Sequence, residues 1–204
     1  MRKVMVLAAH FDDVELSMGA SIRKWTNNGI EVLVYIYKWR NGDKYEAAMM
    51  SEKILGHKHM TIGDWGERVD GKLETERDVV GWFDKEIQVQ SPSYFITHWE
   101  EDYHSEHQFC HRIGMQVARK QPLDVWYMNS FPYCHRYKNF NANIYSAFDG
   151  FDFVDKKKAL EQFDPWMQDG WIDGSIGMNA YHGSMIKNTR AVGAEVFSAH
   201  MINV

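Results

Sequence analysis

Near its start the chain runs through Lys3 to Ala9 (KVMVLAA), apolar at almost every position, and then turns at once into His, Phe, Asp and Asp. A continuous apolar run of this length reads as a strand buried on both faces, as in a parallel sheet. The same unit recurs: strands are expected at Ile30–Tyr37, Ser93–Thr97 and Asp124–Met128. Between them lie helix-length segments at Leu16–Asn28, Asp43–Leu55, Leu73–Val89 and Ser105–Lys120, two of them closed by Gly29 and Gly56. This alternation predicts an α/β fold: a mostly parallel central sheet with helices on both faces. Residues 132–155, rich in aromatics, Asn and Gly, read as long loops with one strand at Asp152–Val154. A helix is expected over Lys156–Met167, and the remainder, through Ala191 to His200, as helix and then a short final strand.

Composition narrows the function. The 204 residues suit one domain spanning 1–204, with no Pro/Gly/Ser-rich linker to divide it. A formal net charge of -5 gives a nucleic-acid partner no electrostatic support. No stretch approaches the roughly 20 apolar residues of a membrane span, so a cytoplasmic location is expected. Cys110 and Cys134 are the two cysteines and read as free thiols. A Cys-based zinc site is excluded by count, so any metal must use His and carboxylates.

Two clusters offer them. In open parallel sheets ligands bind beyond the carboxyl ends of the strands, and both clusters follow predicted strands. The first is Ala9-His10-Phe11-Asp12-Asp13-Val14-Glu15. Adjacent turn residues point in different directions. One carboxylate can therefore bind a metal while its neighbour serves as base toward the metal's water. The plainer reading is that Asp12 or Asp13 caps the following helix, with Glu15 favouring its N-terminus. The second cluster, Thr97 to His111, contains four of the ten His. His104 and His107 are three apart, which puts both on one side of a helix start; the plainer reading is a solvated helix start. Together the clusters give His10, Asp13 and His107 as a two-His, one-carboxylate set with open coordination positions. That set suits Zn2+, and equally Fe2+ or another divalent ion.

These residues resemble the LmbE/PIG-L family of zinc-dependent N-acetylglucosaminyl de-N-acetylases. The family's Ala-His-Pro-Asp-Asp-x-Glu stands here as Ala9 to Glu15, with Phe11 in place of Pro. Its Asp-x-His-x-Asp-His stands as Asp102 to His107, with Glu106 in place of Asp. Weaker likenesses follow at Lys156–Leu160 and Gly193–Phe197, while the family's distal His-x-Ser-Gln pattern is missing after Leu160. The resemblance implies a Rossmann-like three-layer sandwich. It implies zinc on His10, Asp13 and His107, with Asp12 as general base. It makes His104 the stabiliser of the tetrahedral intermediate, and Glu106 the residue that orients His104.

The expected reaction is removal of an N-acetyl group from a small soluble amino sugar or sugar conjugate, releasing acetate. A non-catalytic sugar-binding relative and a metal amidase for another acyl-amide are the alternatives. A phosphoesterase is disfavoured because the clusters lack basic residues. The chain has 8 Trp. Trp39, Trp65 and Trp99 fall in or near expected loops, where a ring can stack on a sugar or simply pack. His98 and His111 are expected to be structural or surface residues, and His57 and His59 are unassigned. Homo-oligomerisation is left open.

Overall fold

A computed structural model describes residues 2–37, 43–60, 75–121, 123–131, 140–187 and 190–199. The strands are β1 (Lys3–Ala8), β2 (Glu31–Ile36), β3 (Lys58–Met60), β4 (Tyr94–His98), β5 (Asp124–Met128), β6 (Ile144–Phe148) and β7 (Gly193–Ala199). The helices are α1 (Asp13–Asn27), α2 (Asp43–Leu55), α3 (Glu76–Gln90), α4 (Ser105–Lys120), α5 (Gly150–Glu161) and α6 (Trp171–Ser184). The strands form one sheet in the order β3-β2-β1-β4-β5-β7-β6. The first five are parallel, and β7 runs antiparallel to both neighbours. Val4 of β1 pairs with Val32 of β2 on one side and Tyr94 of β4 on the other. From β1 the chain builds outward in one direction and from β4 in the other. The gap between their carboxyl ends is therefore the switch point at which such sheets bind ligands.

Side-chain alternation divides the interior into two layers. Met5, Leu7, Leu33, Tyr35 and Phe95 face α3 and α4, meeting Val79, Phe83, Ile113 and Val117. Val4, Val6, Val32, Val34 and Ile96 face α1, α2 and α5, meeting Val14, Ile22, Ala48 and Ala159. The result is the expected three-layer α/β sandwich with a mostly parallel sheet.

Helix α1 is broken at Met18 (φ -149°), and the break has an identifiable cause. The carboxylate of Glu195, from β7, accepts the backbone N–H groups of Ala20 (3.1 Å) and Ser21 (2.6 Å). The carbonyl of Leu16 accepts instead from Lys156 Nζ (2.9 Å) and Ser175 Oγ (2.7 Å). Lys156 also reaches Glu195 and Asn179, both at 2.8 Å. A buried ion pair thus ties α5, α6 and β7 to the helix that carries Asp13. Helix α6 lies hard against β7: a Cβ on Gly183 would stand 2.6 Å from the Cα of Gly193.

Several elements differ from the sequence reading. Strand β3 is only three residues long and carried no apolar pattern. Strand β6 lies inside the stretch read as loops. The strand expected at Asp152–Val154 is helical, part of α5. There Asp149 accepts from the N–H groups of Phe151 (2.8 Å) and Asp152 (3.1 Å), a helix-start signal that outweighs the strand-like Phe-Asp-Phe alternation. The helix expected to reach Met167 ends at Glu161, and a 3-10 turn follows at Asp164–Trp166. Cys110 is a buried free thiol, and Cys134 lies outside the described residues.

Candidate metal centre

The turn after β1 is shaped by Asp13. Its Oδ2 accepts from the N–H groups of Ala9 (3.1 Å) and His10 (2.8 Å). This folds the chain back over the end of the strand and fixes the carboxylate beside the His10 ring. Asp12, at the N-cap position, makes no side-chain capping bond, so the capping alternative does not describe it. Its Oδ2 instead takes a bond from Lys44 Nζ at 2.9 Å. Glu15 turns the other way, into the interior, where it is fully buried and bonded by Ser51. Burial pushes the Glu15 carboxyl up to about 8.

His107 reaches the same point from the first turn of α4. Its Nε2 is 3.3 Å from Asp13 Oδ1 and 3.3 Å from His10 Nδ1, and His10 Nδ1 is 3.5 Å from Asp13 Oδ2. Four donors around zinc at bond lengths of about 2.0–2.1 Å stand roughly 3.3–3.4 Å apart. One donor atom from each of His10, Asp13 and His107 lies within 4.8 Å of the others, and the two 3.3 Å separations from His107 match that edge, with Asp13 facing His107 through Oδ1 and His10 through Oδ2.

Each of the three is held from behind, as metal ligands are. Asp102 Oδ2 lies 2.8 Å from His107 Nδ1, and Asp102 Oδ1 accepts from His104 N at 2.8 Å. Glu106 Oε2 lies 2.6 Å from His10 Nε2. His98, the last residue of β4, places Nε2 3.2 Å from Asp13 Oδ2 and Nδ1 2.7 Å from Ser130 Oγ. Its ring stacks on His107, centroids 3.8 Å apart. The backbone N–H of Ala9 also donates to His98 Nε2 at 3.1 Å.

The electrostatics follow from these contacts. Burial opposes a charge on His107, but Asp13 and Asp102 outweigh it and raise the imidazole to about 10. Asp13, itself buried, is held well below the usual carboxylate range by His107, His10 and His98. His98, buried beside His107, falls to about 4 and is neutral. His104 is also lowered, first by burial and then by His107 and His10. Its Nδ1 accepts from Glu106 N at 3.3 Å, which leaves the proton of the neutral ring on Nε2.

The site therefore gathers His10, Asp12, Asp13, His104, Glu106 and His107, with two corrections. Glu106 bonds His10, a candidate ligand, and does not stand as a partner for His104 alone. His98 is at the centre of the site. The signal for it was its place at the carboxyl end of β4, matching that of His10 after β1. Asp102 carried no role in the sequence reading beyond its place in the motif. His111 bonds the His98 carbonyl at 3.1 Å and supports it from outside. Trp99 is a core residue, 4% exposed, packed against Phe140 (ring centroids 5.2 Å apart), with no face for a sugar. Trp39 and Trp65 lie outside the described residues.

Residues 5–118 match the model of the PIG-L, GlcNAc-PI de-N-acetylase, family. The chain belongs to the PIG-L family. The matched span contains His10, Asp12, Asp13, His98, Asp102, His104, Glu106 and His107. Solved structures share the fold. One is GalB, the 4-carboxy-2-hydroxymuconate hydratase from Pseudomonas putida KT2440, with TM-score 0.80 and 16% identity over 100% of this chain and 98% of that one. Another is the zinc-inhibited form of the teicoplanin deacetylase Orf2, with TM-score 0.72 and 14% identity over 98% and 99%. A third is the N,N'-diacetylchitobiose deacetylase of Pyrococcus horikoshii, with TM-score 0.73 and 14% identity over 98% and 84%. At these identities the likeness speaks for the fold, and PIG-L membership rests on the sequence match. No helix among the described residues is long and apolar enough to cross a membrane.

Proposed function

We propose that the chain is a divalent-metal-dependent hydrolase that removes the N-acetyl group from a small soluble amino sugar or sugar conjugate. The observation that carries this is the convergence of donor atoms from His10, Asp13 and His107, with a second carboxylate, Asp12, next to Asp13 in the chain. A pure binding module has no use for that second carboxylate.

His10, Asp13 and His107 would hold the divalent cation, Zn2+ or alternatively Fe2+, which when bound would supply an acidified water and a Lewis acid for the scissile carbonyl. The protein's own groups do the rest. Lys44 holds Asp12 by Oδ2, so Oδ1 is the atom left to receive the water's proton. His104, neutral with its proton on Nε2, offers an N–H to the developing oxyanion. His10, Asp13 and His107 are kept in place by Glu106, His98 and Asp102. Trp39 and Trp65 are the proposed sugar contacts.

Family membership and two deacetylase neighbours of the same fold support this substrate class, and the GalB neighbour names the rival, a hydratase. An acetate-release screen tests the proposal across N-acetylated sugars, nucleotide sugars and glycosides, with Zn2+ and Fe2+ supplied separately. Asp12→Asn should retain metal and lose about 10²–10⁴-fold in turnover. Unchanged acetate release from that variant would remove Asp12 as the base. Hydration of 4-carboxy-2-hydroxymuconate with no acetate release from any sugar would replace the hydrolase reading.

A further inference from the structure

On the α2 side of the sheet a second cluster is closed off from solvent. Glu15 and Ser51 are 0% exposed, and His57 is 2% exposed. The side chain of His59 is 1% exposed. His57 and His59 flank Lys58 on an extended segment, so their rings share one face while Lys58 points away to Glu31 (2.6 Å). One donor atom from each of Glu15, His57 and His59 lies within 4.8 Å of the others.

Three observations point to a cation. The Nε2 atoms of His57 and His59 are 3.3 Å apart, and the edge between two imidazole nitrogens on tetrahedral zinc is about 3.3–3.4 Å. Glu15 Oε2 is buried without a hydrogen-bond partner, which is costly in an interior. Glu52 stands next to the outer nitrogen of His59: its Oε2 lies 3.4 Å from Nδ1, without a hydrogen bond to it, and accepts from the His59 backbone N–H at 2.7 Å. Among the described residues no lysine or arginine bonds Glu15.

We propose that Glu15, His57 and His59 form a second, buried divalent-cation site. It joins α1 to β3, with Ser51 of α2 holding the Glu15 carboxylate. The site is closed, so its ion is structural. The Phe11 ring packs edge-on against His59 at 5.8 Å, and Phe11 sits between His10 and Asp12. An ion here would therefore stiffen the turn that carries the first site. The proposal does not depend on which reaction that first site performs.

Metal counting on the intact chain tests it, with Zn2+ for stoichiometry and Co2+ for visible absorption. Metal-stripped wild-type protein should take up two equivalents, and His107→Ala should keep one. Glu15→Gln and His59→Asn should each keep one, held by the first site. The tetrahedral Co2+ bands that survive in His107→Ala should vanish when His59→Asn is added. Loss of all stoichiometric metal from His107→Ala would overturn the proposal. So would a wild-type protein that binds one equivalent and keeps it when His59 is replaced. His107→Ala leaves the second cluster untouched, so it decides the matter even if the buried variants fold poorly.

Discussion

Glu106 and His10 are 96 positions apart in sequence, yet the Glu106 carboxylate lies 2.6 Å from the His10 ring. One comes from the first turn of α4 and the other from the turn after β1. The contact spans the switch point of the sheet and presents Nδ1 of His10 to the metal position. A residue that positions a ligand should act through metal affinity. Glu106→Ala should weaken metal binding about 10–100-fold, and activity should recover when metal is supplied in excess. A fall in kcat with unchanged metal affinity would instead return Glu106 to a role on His104.

The charge on His107 links metal binding to pH. In the metal-free fold its imidazole titrates near 10, against 6.5 in an unfolded chain. A raised folded value contributes stability that is fully present below pH 6.5 and lost as pH rises through about 10. A cation on Nε2 must displace that proton, so metal affinity should climb over the same window. Melting temperatures of metal-free and zinc-loaded protein, measured from about pH 6 to 9, should diverge as pH rises. A constant gap would contradict the assignment.

Lys156 offers a test of the framework behind the site. It is fully buried and bonded to Glu195, Asn179 and the Leu16 carbonyl. Lys156→Met leaves the Glu195 carboxylate buried without its cation and should cost about 3–5 kcal/mol. Urea unfolding would show this as a lower midpoint with little change in slope. A loss below about 1 kcal/mol would mean that the backbone N–H groups of Ala20 and Ser21 alone suffice to hold Glu195.

Gly114 marks where α4 touches β4. A Cβ there would stand 2.6 Å from Cγ2 of Thr97. Thr97 is buried and bonds the Leu7 carbonyl at 3.1 Å, so it cannot swing away freely. Gly114→Ala should destabilise by about 1–3 kcal/mol. It should also lower metal affinity, because the helix it displaces carries His107 and the strand carries His98. Denaturant unfolding together with metal titration would check both.

The parallel half of the fold was legible because strands buried on both faces read as unbroken apolar runs, as Lys3–Ala9 does. The convergence of His10, Asp13 and His107 was legible because these residues sit next to such runs or at the helix start that follows one. What escaped is long-range or short. Strand β3 has three residues and takes its place from pairing with β2. Strand β6 exists because β7 returns beside it, which local pattern does not announce. His98 looked structural because a single His at a strand end carries no spacing signal; only the sheet brings it to Asp13. Glu15 looked like a residue favouring a helix start, and its burial depends on α2 and β3 closing over it. Trp99 looked like a loop residue, and the fold of 140–148 against the sheet makes it core.

The break in α1 at Met18 has a consequence for how this architecture can change. All three candidate ligands, and the residues that hold them, come from the first 130 positions. Among the described residues after 140, Lys156, Ser175 and Glu195 clasp the opened turn of α1, and β7 pairs with β5. The later segment can therefore be rebuilt, lengthened or exchanged without moving the candidate ligands, provided that clasp and the β5–β7 pairing are kept. Divergence in what such proteins act on can accumulate in one half of the chain while the other half stays nearly fixed.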